Sequence, residues 1–392
     1  MVLIGEAGAK LPTVLFATGI SGSAHAVIDR SGARLLNPAL MPSLSASDPE
    51  RTIEFEFVRA TENAALNSLH WLGRGEKELA DAAACDAIYG VFDLVDIAGE
   101  VVIGEGIKDN APGIFLGEHL GTWRAGSPRF DIALDPIDGT SNIAAGMPNS
   151  ISVMAASETL HGKTHTMKNL PSFYAHKMAY GPRVVAAIEA GMDPVTLDDP
   201  LEKTLGHVAE ALGKRVGELV VMTMNRPRHA ALIADVRKIG ASLRLITDGD
   251  ITAAVSPSLD DSGIDIYIGI GGSPEGILTA AALKALGGEM LLRMWPRDAA
   301  ERESLLKEVS EEELSRVFKC DDLVIGDSAI FCATGISDST LLPGVRLIGK
   351  KAITESILMR AKSRTVRYIR AVHDLEKKTI HLRSVRRDAK IS

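Results

Sequence analysis

Long apolar runs, aromatic side chains, cysteines and excess positive charge are all scarce in this chain of 392 residues. The apolar stretch "LPTVLFATGI" is broken by Pro12 and Thr18 and falls short of the roughly 20 residues a membrane span needs. The expectation is a soluble, cytoplasmic chain without a membrane partner. Its three cysteines, Cys85, Cys320 and Cys332, are odd in number and far apart, so neither a disulfide framework nor a zinc ribbon is readable. A formal net charge of -8 speaks against a nucleic-acid partner, because phosphate-backbone affinity comes from clustered Lys and Arg. Aromatics make up only 4% of residues against 46% hydrophobic overall, which suits an α/β protein built on Ala, Val, Ile and Leu.

Residues 1–48 carry little charge and no persistent period, and are read as a poorly ordered N-terminal extension. A targeting segment and a start at Met41 are both left open. From Thr52 the pattern turns helical until "GRG" at 73–75, and a second helical stripe from Ala80 to Val95 is closed by Gly99. "EVVIGEG" and "RFDIALD" read as strands ending at Glu105 and Asp135. Beyond residue 215 strands alternate with helices, which predicts βα units, a substantially parallel sheet and ligands at strand carboxyl ends. Several more strands follow Asp327. The expected division is 49–214 as a metal-binding α/β domain, 215–300 as a second α/β domain carrying sugar and phosphate contacts, and 301–392 completing the sheets.

The stretch "DIALDPIDGTSN" leaves a strand and at once places two carboxylates, a glycine and two hydroxyls. Asp135 and Asp138, separated by a Pro-Ile turn, can face one point, as a hard cation such as Mg2+ or Mn2+ requires. Gly139 lets the backbone approach a ligand, and Thr140 and Ser141 open a helix whose free N–H groups favour phosphate. An ordinary Asx turn with an N-cap is the alternative for this stretch taken alone. Other acids beside small residues at element ends, namely Asp81, Glu105 and Glu275, favour the metal site. The glycine run 269–276 is no dinucleotide loop, because Pro274 and Glu275 stand where pyrophosphate needs bare N–H groups. In "RPRH", Arg226 and Arg228 flank a stiffening Pro227, suited to clamping a phosphate. His70, His229 and His373 have no partner at motif spacing and are read as structural or as supports behind the residues that touch ligand.

These stretches, together with "ATENAALNSLHWLGRGEKELADAAA", "FYAHKMAYGP", "ITDGD", "IGIGGSPEGILTAAALKALGG" and "KSRTVRYI", resemble the class II fructose-1,6-bisphosphatases from about Glu54 to Leu382. Some members of that family also take sedoheptulose 1,7-bisphosphate. The resemblance implies the layered α/β/α/β/α fold of the lithium-sensitive sugar phosphatases and a metal-dependent phosphoric monoester hydrolase acting on the 1-phosphate of fructose 1,6-bisphosphate in gluconeogenesis. It implies two ions, Mn2+ or Mg2+: one held by Asp81 and Glu105, the other by Asp135, Asp138 and Glu275. It implies substrate contacts from Asp138, Gly139, Thr140, Tyr174, Lys177, Arg226, Pro227, Arg228, Asp248, Gly249, Asp250 and Gly272, with Thr140 and Asp138 catalytic, and a homo-oligomer, dimer or tetramer.

The chain departs from the family pattern in three respects, at four positions. Ile107 and Lys108 stand where many members carry acids, Arg226 where Lys is frequent, and Asp138 where Glu is frequent. The first departure keeps open a non-catalytic sugar-phosphate-binding paralogue, alongside a dual or dedicated sedoheptulose bisphosphatase.

Overall fold

Strand side chains alternate between two faces, and here each face meets a different layer of helices. The computed structural model describes residues 48–104, 113–159 and 165–384. Glu105, Ile107 and Lys108, and the extension before Asp48, lie outside the described residues.

In chain order the first elements are α1 (Pro49–Ser68), α2 (Lys77–Phe92), β1 (Ala98–Ile103), β2 (His119–Leu120), β3 (Arg129–Asp138), α3 (Thr140–Ala145) and β4 (Ile151–Glu158). Next come β5 (Tyr174–Tyr180), α4 (Pro182–Glu189), α5 (Leu201–Leu212), β6 (Val220–Met224), α6 (Ala230–Ile239), β7 (Ser242–Ile246), α7 (Asp250–Val255), β8 (Ile266–Gly272), α8 (Ser273–Leu286) and β9 (Glu289–Met294). The last are α9 (Ala299–Leu305), α10 (Glu311–Ser315), α11 (Cys320–Leu323), β10 (Ile330–Gly335), β11 (Arg346–Ile348), β12 (Lys351–Arg360) and β13 (Thr365–Asp374). All from Pro49 onward belong to one compact unit.

Two sheets form. The larger has eight strands in the order β11-β12-β10-β4-β3-β1-β2, with β13 also pairing β12; the smaller runs β7-β6-β8-β5-β9. The βα texture beyond residue 215 is parallel as expected in β6, β7 and β8, while β5 and β9 make the smaller sheet mixed and the larger sheet is mainly antiparallel. Parallel pairing is confined to β1 with β3 and to β6 with β7 and β8. β5 runs antiparallel to both β8 and β9.

Ile132 and Leu134 of β3, Met154 and Ala156 of β4, and Ile330 and Cys332 of β10 pack with α1 and α2. Their neighbours Ala133, Val153, Ala155, Phe331 and Ala333 face α7 and α8 instead. The opposite side of that helical layer meets Ala175 and Ala179 of β5 and Met222 of β6, while Met178, Val221 and Ile268 point outward to α4, α5 and α6. α8 is apolar on all sides, as a helix between two sheets must be: Ile277, Leu278, Ala280, Ala281, Ala282 and Leu283 are all buried.

Two element boundaries differ from the sequence reading. α2 stops at Phe92, and Gly99 sits inside β1, where a Cβ would meet the Ile132 side chain at 2.4 Å. β3 does not stop at Asp135 but continues through Pro136 to Asp138. Its register against β4 shifts between Asp135 and Asp138, so the proline sits at a bulge, where a missing N–H is tolerated.

Candidate active site

The carboxyl ends of β3, β7 and β8 converge, and each delivers acids next to glycine. At the end of β3, Asp138 is followed by Gly139 with φ +94°, a conformation that excludes side chains; a Cβ there would also lie 2.5 Å from the Asn149 carbonyl oxygen. Thr140 then begins α3, as the sequence suggested. After β7, Asp248 and Asp250 flank Gly249, and Asp250 begins α7. After β8, Gly272 is the N-cap of α8 and Glu275 lies in its first turn, close enough that a Cβ on Gly272 would sit 2.0 Å from the Glu275 Oε2.

These acids perturb one another. Burial, then Glu275 and Asp81, pushes the Asp135 carboxyl well above the usual carboxylate range. Burial, then Asp135 and Asp250, does the same to Asp138. Burial, then Asp250, raises Glu275, with Lys177 opposing. Asp138 Oδ2 is buried and has no hydrogen-bond partner among the described residues. Asp81, on α2, is within electrostatic reach of Asp135, and Glu105 lies outside the described residues. Among those residues no ready-made group of three or more His, Cys, Asp or Glu side chains is arranged to hold a metal ion.

Two asparagines that the sequence did not single out stitch the ends together. Asn149 Nδ2 donates to the carbonyls of Asp248 at 2.6 Å and Gly249 at 3.0 Å. Asn142 Nδ2 donates to the carbonyls of Asn149 at 2.9 Å and Asp248 at 3.2 Å, and its Oδ1 accepts from Thr247 Oγ1. The signal for Asn149 was the sequence "MPNS" after a short helix, since its φ of +78° is one that Asn tolerates better than most residues. Ser141 N–H donates to Asp248 Oδ2 at 3.3 Å, so the turns after β3 and β7 share a carboxylate.

The basic side of the site starts at Arg226, whose Nη2 lies 3.6 Å from Asp248 Oδ1. Pro227 opens a short 3-10 turn, after which Arg228 donates from Nε to the Ile270 carbonyl at 2.9 Å and stacks over the Tyr174 ring, its Cζ 4.7 Å from the centroid. His229, 1% exposed, is structural here: its Nε2 accepts from the Ile270 N–H at 2.7 Å, and burial, then Arg228, lowers its pKa to about 4.

Lys177 departs from the sequence reading, which placed it beside Tyr174 as a phosphate contact. It is fully buried, and its Nζ donates to Asp250 Oδ2 at 2.7 Å. The cause is register: position 177 shares the inward face of β5 with Ala175 and Ala179, while Tyr174 stands at the strand's start.

A family model described as bacterial fructose-1,6-bisphosphatase, glpX-encoded, matches residues 51–373. A class 2 fructose-1,6-bisphosphatase of Haemophilus influenzae is 40% identical over 337 residues, covering 83% of this chain and 97% of that protein. The fructose-1,6-bisphosphatase 1 class 2 of Escherichia coli strain K12 is 39% identical over 339 residues, covering 84% and 97%. Among solved structures, an extragenic suppressor from Pyrococcus furiosus aligns over 53% of this chain and 68% of its own at 16% identity, with a TM-score of 0.25 that carries no argument. With the family model spanning most of the chain and these relatives matched over nearly their whole length, the chain belongs to the bacterial, glpX-encoded fructose-1,6-bisphosphatase family.

Proposed function

We propose that this chain hydrolyses the 1-phosphate of D-fructose 1,6-bisphosphate, releasing fructose 6-phosphate and orthophosphate, in gluconeogenesis. One observation carries the reading beyond the family: a buried acidic cluster and a cationic, aromatic cluster meet at one residue. Asp248 adds to the upward shift that burial chiefly imposes on Asp135, Asp138 and Glu275, and the same carboxylate lies 3.6 Å from Arg226. Hard oxygen donors lie on one side and phosphate-binding guanidiniums on the other, as a substrate with two phosphates requires.

The donor set suits Mg2+ or Mn2+ in chemistry, and the unpartnered Asp138 Oδ2 is consistent with a ligand role. Asp81 and Glu105 would hold one ion, and Asp135, Asp138 and Glu275 a second. Such ions, when bound, supply charge neutralisation at phosphoryl oxygens and a lowered pKa for the attacking water. The chain's own residues do the rest. Thr140, at the first position of α3, orients the water and handles its proton through its hydroxyl, with Asp138 two residues before it. Arg226, Arg228 and Tyr174 hold the distal phosphate, and Pro227 fixes the spacing of the two guanidiniums. Asp248 and Asp250, placed by Gly249, accept hydrogen bonds from sugar hydroxyls. Gly139 and Gly272 keep the backbone close to the substrate, and Lys177 contributes through Asp250. Water attacks phosphorus in line, the bond from phosphorus to O1 breaks, and O1 leaves with a proton as the sugar hydroxyl.

The helix layers on both sides of each sheet support assignment to the lithium-sensitive sugar phosphatase fold. We also read the protein as a cytoplasmic homo-oligomer, and no described helix is long and apolar enough to cross a membrane. The test is phosphate release from fructose 1,6-bisphosphate with and without chelator, with Mg2+ and Mn2+ restored separately. Activity should vanish on chelation and return with a divalent cation. Full turnover in excess chelator after dialysis would overturn the metal-dependent reading.

A further inference from the structure

Arg297 belongs to none of the motifs above. It follows β9, whose Met294 pairs with Ala175; one residue later the Trp295 N–H donates to the Tyr174 carbonyl at 2.8 Å, tying this loop to the start of β5. The Arg297 Cζ lies 5.6 Å from the centroid of the Tyr174 ring, the same ring that Arg228 stacks over at 4.7 Å. Two guanidiniums thus share one tyrosine at the rim of the basic cluster.

The side chain is held in place before any ligand arrives. Glu301 Oε2 accepts the Arg297 backbone N–H at 2.8 Å, and its Oε1 accepts Nε at 2.6 Å. Asp298, between them in sequence, caps α9 by accepting the Glu301 N–H at 2.8 Å. The Nη2 also pairs with Glu301 Oε1, and an arginine held at Nε and Nη2 still keeps further donors, because a guanidinium carries five N–H groups and one carboxylate does not consume them all. It is also open to solvent, with the side chain 59% exposed, while Glu301 is only 16% exposed. Two cations against one ring repel unless an anion joins them. Arg226 is balanced by Asp248 and Arg297 by Glu301, whereas Arg228 gives its Nε to a carbonyl. A phosphate monoester, with about two negative charges near neutral pH, meets both needs.

We propose that Arg297 is a substrate-binding, specificity-determining residue that, with Arg228, grips the distal phosphate of the bisphosphate across Tyr174. This rests on the assignment of Arg226, Arg228 and Tyr174 to the distal phosphate. The competing role is purely structural, a helix-start network in which Arg297 does no more than brace Glu301.

The experiment compares Arg297→Ala, Arg297→Lys and Glu301→Gln with Arg228→Ala and the parent protein. It reads kcat and KM on fructose 1,6-bisphosphate and fructose 1-phosphate, the inhibition constant of fructose 6-phosphate, and Tm. Arg297→Ala should raise KM for the bisphosphate and the inhibition constant of fructose 6-phosphate about tenfold each, as for loss of one partly exposed charge-assisted contact. kcat should stay within about twofold, because uniform binding is what is lost. Fructose 1-phosphate, which lacks the distal group, should change less than about twofold, and Arg297→Lys should recover part of the loss. If Arg297→Ala leaves both constants near the parent's while Arg228→Ala raises them, the clamp stands and Arg297 is only a brace. If Glu301→Gln reproduces the Arg297→Ala losses with a matching fall in Tm, the effect belongs to the α9 scaffold and the proposal is overturned. If Arg228→Ala affects the two substrates equally, the distal clamp itself fails and Arg297 falls with it.

Discussion

Replacing Lys177 by Met tests the electrostatic logic of the site most directly. The side chain is fully buried, its partner Asp250 is 4% exposed, and their Nζ–Oδ2 separation is 2.7 Å. At that distance the bare attraction is about 6 kcal/mol for an effective dielectric constant of 20, most of it offset by the desolvation of both groups. Methionine keeps the length and removes the charge, leaving the Asp250 carboxylate buried beside Asp138 and Glu275, both of which already feel it. Removing one partner of such a pair costs about 3–5 kcal/mol, whereas neutralising both is close to neutral. Lys177→Met should therefore lower the urea-unfolding free energy by roughly that amount at pH 7 in EDTA. Lys177→Met/Asp250→Asn should recover at least about 2 kcal/mol of it, the coupling a double-mutant cycle isolates. A single variant within about 1 kcal/mol of the parent, or a double variant no better than the single, would refute the claim that Lys177 serves as the buried counter-charge of Asp250.

Thr140→Val should keep the fold and substrate binding but lower kcat by roughly 10² or more, because positioning and proton handling act mainly in the transition state; a kcat within a few-fold of the parent would reduce Thr140 to a helix-start residue. Stability should fall on acidification through His229, whose folded pKa of about 4 lies below the ordinary 6.5. A depressed folded pKa means the contribution is complete above pH 6.5 and is lost as pH falls toward 4, since the unfolded chain takes up the proton first. The loss should reach about 2 kcal/mol between pH 7 and pH 5. His229→Gln, which keeps an acceptor for the Ile270 N–H, should remove that part of the slope in urea titrations; an unchanged slope would show that His229 is not the group responsible.

Much of the site was legible because its chemistry sits in contiguous stretches. "DPIDGTSN", "RPRH", "DGD" and "GGSPEG" each hold a functional side chain and the glycine or proline that shapes the backbone beneath it. Gly139 and Gly249 could be flagged from sequence since their left-handed φ values, +94° and +83°, are a local property of the turn. β3 and β10 could also be read as strands from their short apolar runs, whereas β4 (Ile151–Glu158) went unread. Pro136 misled the reading, as proline usually ends a strand, and only the bulge against β4 shows why it is tolerated.

What tertiary structure alone decided is which residues meet. Asn149 and Asp248 are 99 positions apart, Lys177 and Asp250 are 73 apart, and no pattern within one segment signals either contact. No motif marks Arg297, and only the loop after β9 brings it to Tyr174. The alternating βα texture foretold the parallel β6, β7 and β8, but only the fold shows β5 set antiparallel between β8 and β9. The sequence determined the residues able to bind phosphate and cations, since that capacity resides in side-chain type and local backbone shape. The fold determined their pairing, burial and electrostatic coupling, since those depend on distances between segments that only packing sets.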